Sequence, residues 1–406
     1  MPFVIIAAPF FNAIATRFIE ATLTLPDVTL GVVSQDPLEA LRPDLQEQLA
    51  GHWRVDNMID SGQLAHAAHE LSTRHGPIHR IFSGQEQMQV PVAQTREWLG
   101  IPGMTVETAL NFRDKGRMKY ILYTHGVPIA HHRVVVEERE AWQFAGAIGL
   151  PLVVKPLEGA GAASTFRADT SEALAHALKA SPPSESNPVL LEEFILGTEH
   201  SFDAYTRGSE VLWHSVSHYY PTPLEVMRTP WIQWRVVVPR EVDAPLYDDI
   251  REVAAQALAA LGMPTGMCHM EWFRRRDGSL AVSEVGVRPP GAQFTTLLSR
   301  ANDFDAVRAW VNLLVSDTFE PPTRQYAAGA AYLRGQGPGR VREVHGVGQA
   351  YEEIGHLITD ARLPERGQAA SSSYEGNGYI IVRHPDTAVV DEALRYIVSV
   401  VRVEME

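Results

Sequence analysis

At 406 residues, and with about 150 residues per domain as a guide, the chain is long enough for two to three domains and too long for a peptide hormone or a disulfide knot. Apolar residues at 45%, charged residues at 21%, 30 glycines and 27 prolines exclude collagen, wholesale disorder and coiled coil. Lys and Arg number 35 against 49 Asp and Glu, a formal charge of −14, and with no basic run nucleic acid and anionic membranes are poor partners.

The amino terminus, Met1-Pro-Phe-Val-Ile-Ile-Ala-Ala-Pro9, lacks a basic leader and reads as a first buried strand rather than a signal peptide. No apolar run approaches the roughly 18 to 20 residues of a membrane span. A strand over 3–8, a helix over 12–25 and a strand over 28–34 open a doubly wound α/β unit. A helix over 61–74, a strand over 78–82 and a helix over 86–99 continue it until Gly100 and Pro102. A first domain of residues 1–103 follows. The turn after the first strand, Pro9-Phe10-Phe11-Asn12, has none of the glycines a nicotinamide or flavin site needs.

From 104 to 320 the pattern predicts helices over 113–126 and 141–148, a strand over 151–155, a helix over 172–178 and a strand over 189–193. The polar, Pro-rich stretch 181–188 between them reads as a surface loop. Strands over 199–207 and 210–220 flank Gly208-Ser209 as a hairpin, and 266–275 and 279–285 flank Asp277-Gly278 as another. Helices are expected over 246–261, with one apolar face, and over 303–314. Glu320-Pro-Pro marks the next boundary. Residues 321–406 read as a small α+β domain with strands over 329–333 and 379–383 and a helix over 389–401. No repeat of 20 to 50 residues is visible.

Several constellations carry chemistry. Strand 151–155 delivers Lys155 into a loop of small residues, Glu158-Gly159-Ala-Gly161-Ala-Ala-Ser164, where backbone NH groups can close on phosphate oxygens; taken alone it is equally a plain flexible loop. Glu271 and Glu284 lie on opposite arms of the second hairpin. Paired carboxylates repel unless a cation intervenes, and Mg²⁺ with phosphate is the common solution. Arg288, before Pro289-Pro290-Gly291, is placed to meet a transferring phosphoryl group. The cluster Trp213, Tyr219, Tyr220, Trp231 and Trp234 fits a hydrophobic core better than a substrate wall. His131, His132, His214 and His218 lack a third ligand at metal spacing. The single cysteine, Cys268, reads as a packed small hydrophobe; it permits no intrachain disulfide and suits a reducing, cytoplasmic compartment.

Together, Asp114-Lys115…Lys119, Lys155 with its loop, Leu191-Glu192-Glu193-Phe194…Glu199 and Glu271…Glu284-Val-Gly-Val-Arg288 resemble an ATP-grasp ligase in order and spacing. The resemblance implies an ATP-grasp fold. A Rossmann-like, biotin-carboxylase-like domain (1–103) would precede the grasp (104–320, with its ATP lobe at about 125–195), and a C-terminal α+β domain (321–406) would follow.

By the same resemblance Lys115 and Lys155 contact the phosphates of ATP and residues 158–165 close over them. Glu192, Glu193, Phe194 and Ile195 form a hinge whose backbone reads adenine, and Glu199 accepts from the ribose. Lys119 is the weaker lysine, a surface residue of the same helix. Glu271 and Glu284 hold Mg²⁺, with Mn²⁺ an alternative, and Arg288 stabilises an acyl phosphate. Gly286 stands where most relatives carry asparagine. Glu86 and Gly291 are the implied substrate-side residues.

The motifs Gly329-Ala-Ala-Tyr-Leu-Arg334, Gly337-Pro-Gly-Arg340 and Tyr374-Glu-Gly-Asn-Gly378 look like the C-terminal domain of bacterial L-amino-acid ligases. The implied activity joins a small-molecule carboxylate to an amine through an acyl phosphate, releasing ADP, with homodimerisation possible by family analogy. A purine-pathway carboxylate ligase and a non-catalytic ATP-binding regulator are the alternatives.

Overall fold

The computed structural model describes residues 1–159, 164–229 and 231–406. The first unit is a four-stranded parallel sheet built from β1 (Phe3–Ala7), β2 (Thr29–Ser34), β3 (Gly51–Arg54) and β4 (Ile78–Phe82), in the order β3-β2-β1-β4. Between these strands run α1 (Ala13–Leu23), the single turn α2 (Pro43–Gln46) and α3 (Ser61–His75), and α4 (Gln89–Leu99) follows. β1, with the sequence FVIIA, is buried along its whole length because it pairs on both edges, as expected of a continuous apolar run in a parallel sheet. Asn12 caps α1, its side chain accepting from the Ala15 N–H, and Gly100 ends α4 in a left-handed conformation (φ 63°) that costs glycine little.

A small antiparallel sheet forms the second unit, with α5 (Val106–Arg113), α6 (Lys115–Thr124), β5 (His132–Val135), α7 (Glu138–Ile148), β6 (Leu152–Pro156), β7 (Phe166–Ala168), α8 (Ser171–Ala180) and β8 (Val189–Glu193). Its strand order is β5-β8-β6-β7. The helix expected over 113–126 is α6, which starts at Lys115 because Asp114 leaves the helical conformation (φ −90°, ψ 109°) and its carboxylate caps the helix by accepting from the Arg117 N–H, while α5 before it was not expected.

The third unit brings β9 (Gly197–Arg207), β10 (Glu210–Tyr220), α9 (Pro223–Arg228), β11 (Trp234–Val238), α10 (Asp248–Leu261), β12 (Gly266–Arg275), β13 (Leu280–Gly286), α11 (Phe294–Asn302) and α12 (Ala306–Ser316). Both predicted hairpins form, with Glu271 directly opposite Glu284. The helix expected from 303 begins at Ala306, after Asp305 caps it, and α11 was not legible beforehand. The chain continues through β14 (Ala327–Leu333), β15 (Val341–His345), α13 (Val347–Ile354), β16 (Ile358–Arg362), β17 (Gly378–His384), α14 (Thr387–Val400) and β18 (Arg402–Met405).

Three of these late strands extend the sheet of the third unit, giving one eight-stranded sheet in the order β13-β12-β9-β10-β11-β14-β17-β16. Side-chain alternation divides it into two faces. On one, Tyr205, Trp213, Tyr219 and Trp234 pack with Phe18 and Phe82 of the first unit and Trp310 of α12. On the other, Phe202, Ala204, Val216, Cys268 and Met270 meet α5, α6 and α10. No described helix is long and apolar enough to cross a membrane.

Candidate active site

One cavity of about 880 Å³ is lined by Lys115, Lys155, Gly159, Glu193 to Glu199, His269, Glu271, Glu284, Gly286, Arg288 and Gly291, with Glu86 from the first unit. Its phosphate-like end is built on α6, β6 and β8. Lys115 and Lys119 are four residues apart and so share one helix face. Lys119 is fully buried, its Nζ 3.0 Å from Glu192 Oε1 and donating to the Val282 carbonyl at 3.1 Å. Lys155 reaches the other oxygen of Glu192 at 2.8 Å.

Burial opposes the charge of Glu192, but the two lysines outweigh it and bring its pKa to about 2. Lys155 is likewise held charged: desolvation works against it, and Glu192, Glu284 and Glu271 together lift its pKa above the ordinary lysine value. In Lys119 desolvation wins over Glu192 and the pKa falls. Lys115 Nζ lies 3.0 Å from Glu284 Oε1 and donates to the Gly159 carbonyl at 3.1 Å. Arg113 also donates to that carbonyl, at 3.3 Å, and sits 3.5 Å from the exposed Glu158. Ser164 takes a left-handed conformation (φ 54°) on the far side of the loop. Gly161 lies outside the described residues.

Two expectations change here. Lys119 is no surface residue: it is fully buried and held between Glu192 and the Val282 carbonyl. Nor is the backbone of Glu192 free for a base, since its residue pairs with His132 on β5 and Val153 on β6. The hydrogen-bonded stretch runs on through the next two residues. There Glu193 N–H donates to the His131 carbonyl, Phe194 N–H donates to the Pro151 carbonyl, and the Glu193 carboxylate pairs with Arg275. Ile195 is buried beside them. The Arg167 guanidinium stands 4.0 Å over the Phe194 ring, a cation–π contact.

Glu199, Ser201 and Asp203 project from one face of β9, opposite Phe273, Glu271 and His269 of β12. Asp203 is fully buried, accepts from the Ser201 hydroxyl at 2.9 Å and holds His269 Nδ1 at 2.6 Å. Burial would neutralise His269, but Asp203 raises its pKa to about 9, and its Nε2 lies 3.8 Å from Glu271. Glu199 is pushed well above the usual carboxylate range, by burial first and then by the charge of Glu271.

Two facing carboxylates form a hard-oxygen donor set whose charge Lys115, against Glu284, and His269, near Glu271, balance in this structure. That set fits Mg²⁺ or Mn²⁺. Nothing obstructs Gly286: a Cβ there would lie 3.6 Å from Glu86 Oε2, ordinary contact, whereas a longer side chain would press on that carboxylate. Glu86 in turn pairs with Arg288 Nε at 2.6 Å. Beyond Gly291, Ala292 (φ 48°) and Gln293 (φ 62°) are both left-handed, a strained entry to α11 of the kind that gathers at functional sites.

Sequence reading missed Asp203, His269, Arg167 and Tyr374 as cavity or near-cavity residues. Acidic and hydroxyl residues at alternate positions 199, 201 and 203 of an otherwise apolar strand were the available signal. Of the aromatic cluster, Trp213, Tyr219 and Trp234 are core, while Tyr220 and Trp231 are exposed. His214 stacks on Phe202, and His218 hydrogen-bonds His200 and Tyr247. Cys268 is buried and its thiol is pushed up to about 12.

The family described as ATP-grasp domain matches residues 120–304. The chain is 26% identical over 282 residues to the L-arginine-specific L-amino acid ligase of Bacillus subtilis, covering 66% of each. It is 28% identical over 199 residues to the D-alanine–D-alanine ligase of Pseudomonas fluorescens, covering 48% of this chain and 59% of that one. The matches thus span just under two thirds of the length of these relatives. Among solved structures, the L-amino acid ligase from Bacillus licheniformis superposes with a TM-score of 0.79 over 100% of this chain and 99% of that one, at 16% identity. N5-carboxyaminoimidazole ribonucleotide synthetase from Thermotoga maritima superposes with a TM-score of 0.69 over 100% of both, also at 16% identity. At those identities the likeness is one of fold.

Proposed function

Residues 120–304 match the ATP-grasp domain family, and from that premise we propose that this chain is an ATP-dependent carboxylate–amine ligase that joins amino acids, or an amino acid and a small carboxylate. The observation carrying this reading is that a lysine-rich end, two facing carboxylates and an arginine share one cavity. ATP is a substrate. A carboxylate oxygen attacks its terminal phosphorus, the bond to ADP breaks, and an acyl phosphate forms. An amine then attacks the acyl carbon, phosphate leaves, and the amide remains.

Lys155 and Lys115 neutralise phosphate charge at a site where Glu192 keeps Lys155 fixed and protonated. Preorganised cations of this kind need no rearrangement as charge moves in the transition state. Glu271 and Glu284 would hold Mg²⁺, which when bound supplies charge neutralisation at the phosphates. Arg288, held by Glu86, would stabilise the acyl phosphate. Two of the matching proteins are named as amino acid ligases, which supports amino acids as the substrates.

The test is release of ADP and phosphate from Mg-ATP with pooled amino acids and other small carboxylates and amines, with product mass read from the same wells. Pool-dependent ADP and a condensed mass are expected. AMP and pyrophosphate would overturn the acyl-phosphate route, and no turnover with any pool would overturn the ligase reading.

A further inference from the structure

Among the described residues lining the cavity, all but one belong to the stretch from Glu86 to Phe294; the other is Tyr374, from the loop between β16 and β17. That loop is firmly seated. Asn377, only 2% exposed, donates from Nδ2 to the Ala369 carbonyl at 2.7 Å, accepts from the Ser371 N–H at 3.1 Å and donates its own N–H to the Leu333 carbonyl at 2.9 Å. Gly376 adopts φ 65°, and a Cβ there would come within 2.5 Å of the Leu333 carbonyl oxygen. Only glycine lets the loop lie this close against the end of β14.

The Tyr374 ring packs edge-on to buried Trp234, with centroids 4.8 Å apart at 70°, and Trp234 is itself stacked on Tyr332. A ring held in this way is a wall and not a swinging side chain. Its neighbours around the cavity at the Arg288 end are Pro290, Gly291, Ala292 and Phe294, an apolar strip.

The hydroxyl differs from those of two other tyrosines in the same layer. Tyr205 donates to the Ala306 carbonyl and Tyr332 to that of Ala292, whereas the Tyr374 hydroxyl has no hydrogen-bond partner among the described residues. A half-buried phenol on the cavity wall without a protein partner is available to a ligand.

We propose that Tyr374 is the specificity-determining residue of the substrate end: its ring limits the size of an apolar substrate side chain beside Arg288, and its hydroxyl hydrogen-bonds the substrate. Residues 321–406 thereby contribute to selection and not only to support. The inference rests on the ligase reading above, with an amino acid bearing an apolar side chain as the substrate class.

The experiment measures kcat/KM from ADP release by the full chain and by Tyr374→Ala, Tyr374→Phe and Tyr374→Trp, with glycine, alanine, leucine, phenylalanine, arginine and glutamate offered singly and in pairs. In Tyr374→Ala the ratio of large to small apolar side chains should rise about tenfold or more, and in Tyr374→Trp it should fall, because pocket size sets such ratios. Tyr374→Phe should raise the KM for the amino acid by roughly 2- to 10-fold, the worth of one hydrogen bond, with the KM for ATP unchanged in all three.

A uniform drop across the panel, or an effect on the KM for ATP alone, would mark Tyr374 as structural and overturn the assignment. If Tyr374→Ala does not fold, Tyr374→Trp carries the same comparison in the opposite direction. If the unmodified chain turns over none of these amino acids, the ligase reading for them falls and the assignment with it. If it turns them over and the ratios stay put, only the assignment falls.

Discussion

Glu192 sits between two lysines that share its oxygens, with Lys119 fully buried and Lys155 nearly so. Removing one member of a buried ion pair leaves an uncompensated charge, at about 3–5 kcal/mol. Glu192→Gln, which strands both lysines, should therefore lower the unfolding free energy by that order in urea titration. Lys119→Met should cost less, because Lys155 still neutralises the carboxylate; equal losses would mean that the triad does not act as a unit. Glu284→Ala should cut substrate-dependent ADP release by about 100-fold or more, the order seen when electrostatic stabilisation of the transition state is removed. Retained turnover would remove Glu284 from the metal assignment. Lys155, Glu271 and Glu284 were legible because each sits on a strand next to a turn signal, so local pattern fixes which way it faces. Lys119 was not: its environment is made by Glu192, more than seventy residues later in the chain.

β9 shows how one strand serves two chemistries. Its odd-numbered residues from Glu199 to Asp203 face the cavity side, while His200 lies on the opposite face in a chain of hydrogen bonds running Thr198, His200, His218, Tyr247, each contact at 2.7 Å. Burial lowers His200 to a pKa of about 3 and His218 to about 4. In the unfolded chain both titrate near 6.5, so below that pH the unfolded state binds more protons and stability is lost as pH falls from about 6.5 toward 4. His269, raised rather than lowered, stays charged in the folded state and opposes this loss only near the top of that window, where its unfolded form is still partly neutral. The melting temperature should fall steadily between pH 6.5 and 4.5, and His218→Gln should flatten that slope; an unchanged slope would exclude the pair as its source. Hairpins and amphipathic helices were readable from turn residues and period. α11 was missed although Phe294, Leu297, Leu298 and Ala301 recur at helical spacing, because it is only nine residues long and its start depends on two left-handed non-glycine residues that no local rule anticipates.

At the scale of the whole molecule, the cavity draws Glu86 from the first unit, Lys115 and Lys155 from the second, Glu271, Glu284 and Arg288 from the third and Tyr374 from the last. The parts of that constellation that the sequence made visible are those lying within one hairpin or one strand and its loop. The crossings between units, Glu86 to Arg288 and Tyr374 to Trp234, come from packing over long separations. The eight-stranded sheet adds one more consequence. β11 pairs with β10 on one side and with β14 on the other, so a chain shortened at residue 320 would bare a whole row of backbone donors and acceptors beside the apolar side chains of Trp234, Val236 and Val238. An open, flat, apolar edge recruits other strands. Such a fragment should sediment as aggregate rather than as a tidy excised lobe, and light scattering would register a stable monomer as the contrary result. The late strands thus act as a shield against self-association, sealing an edge by which the grasp would otherwise polymerise.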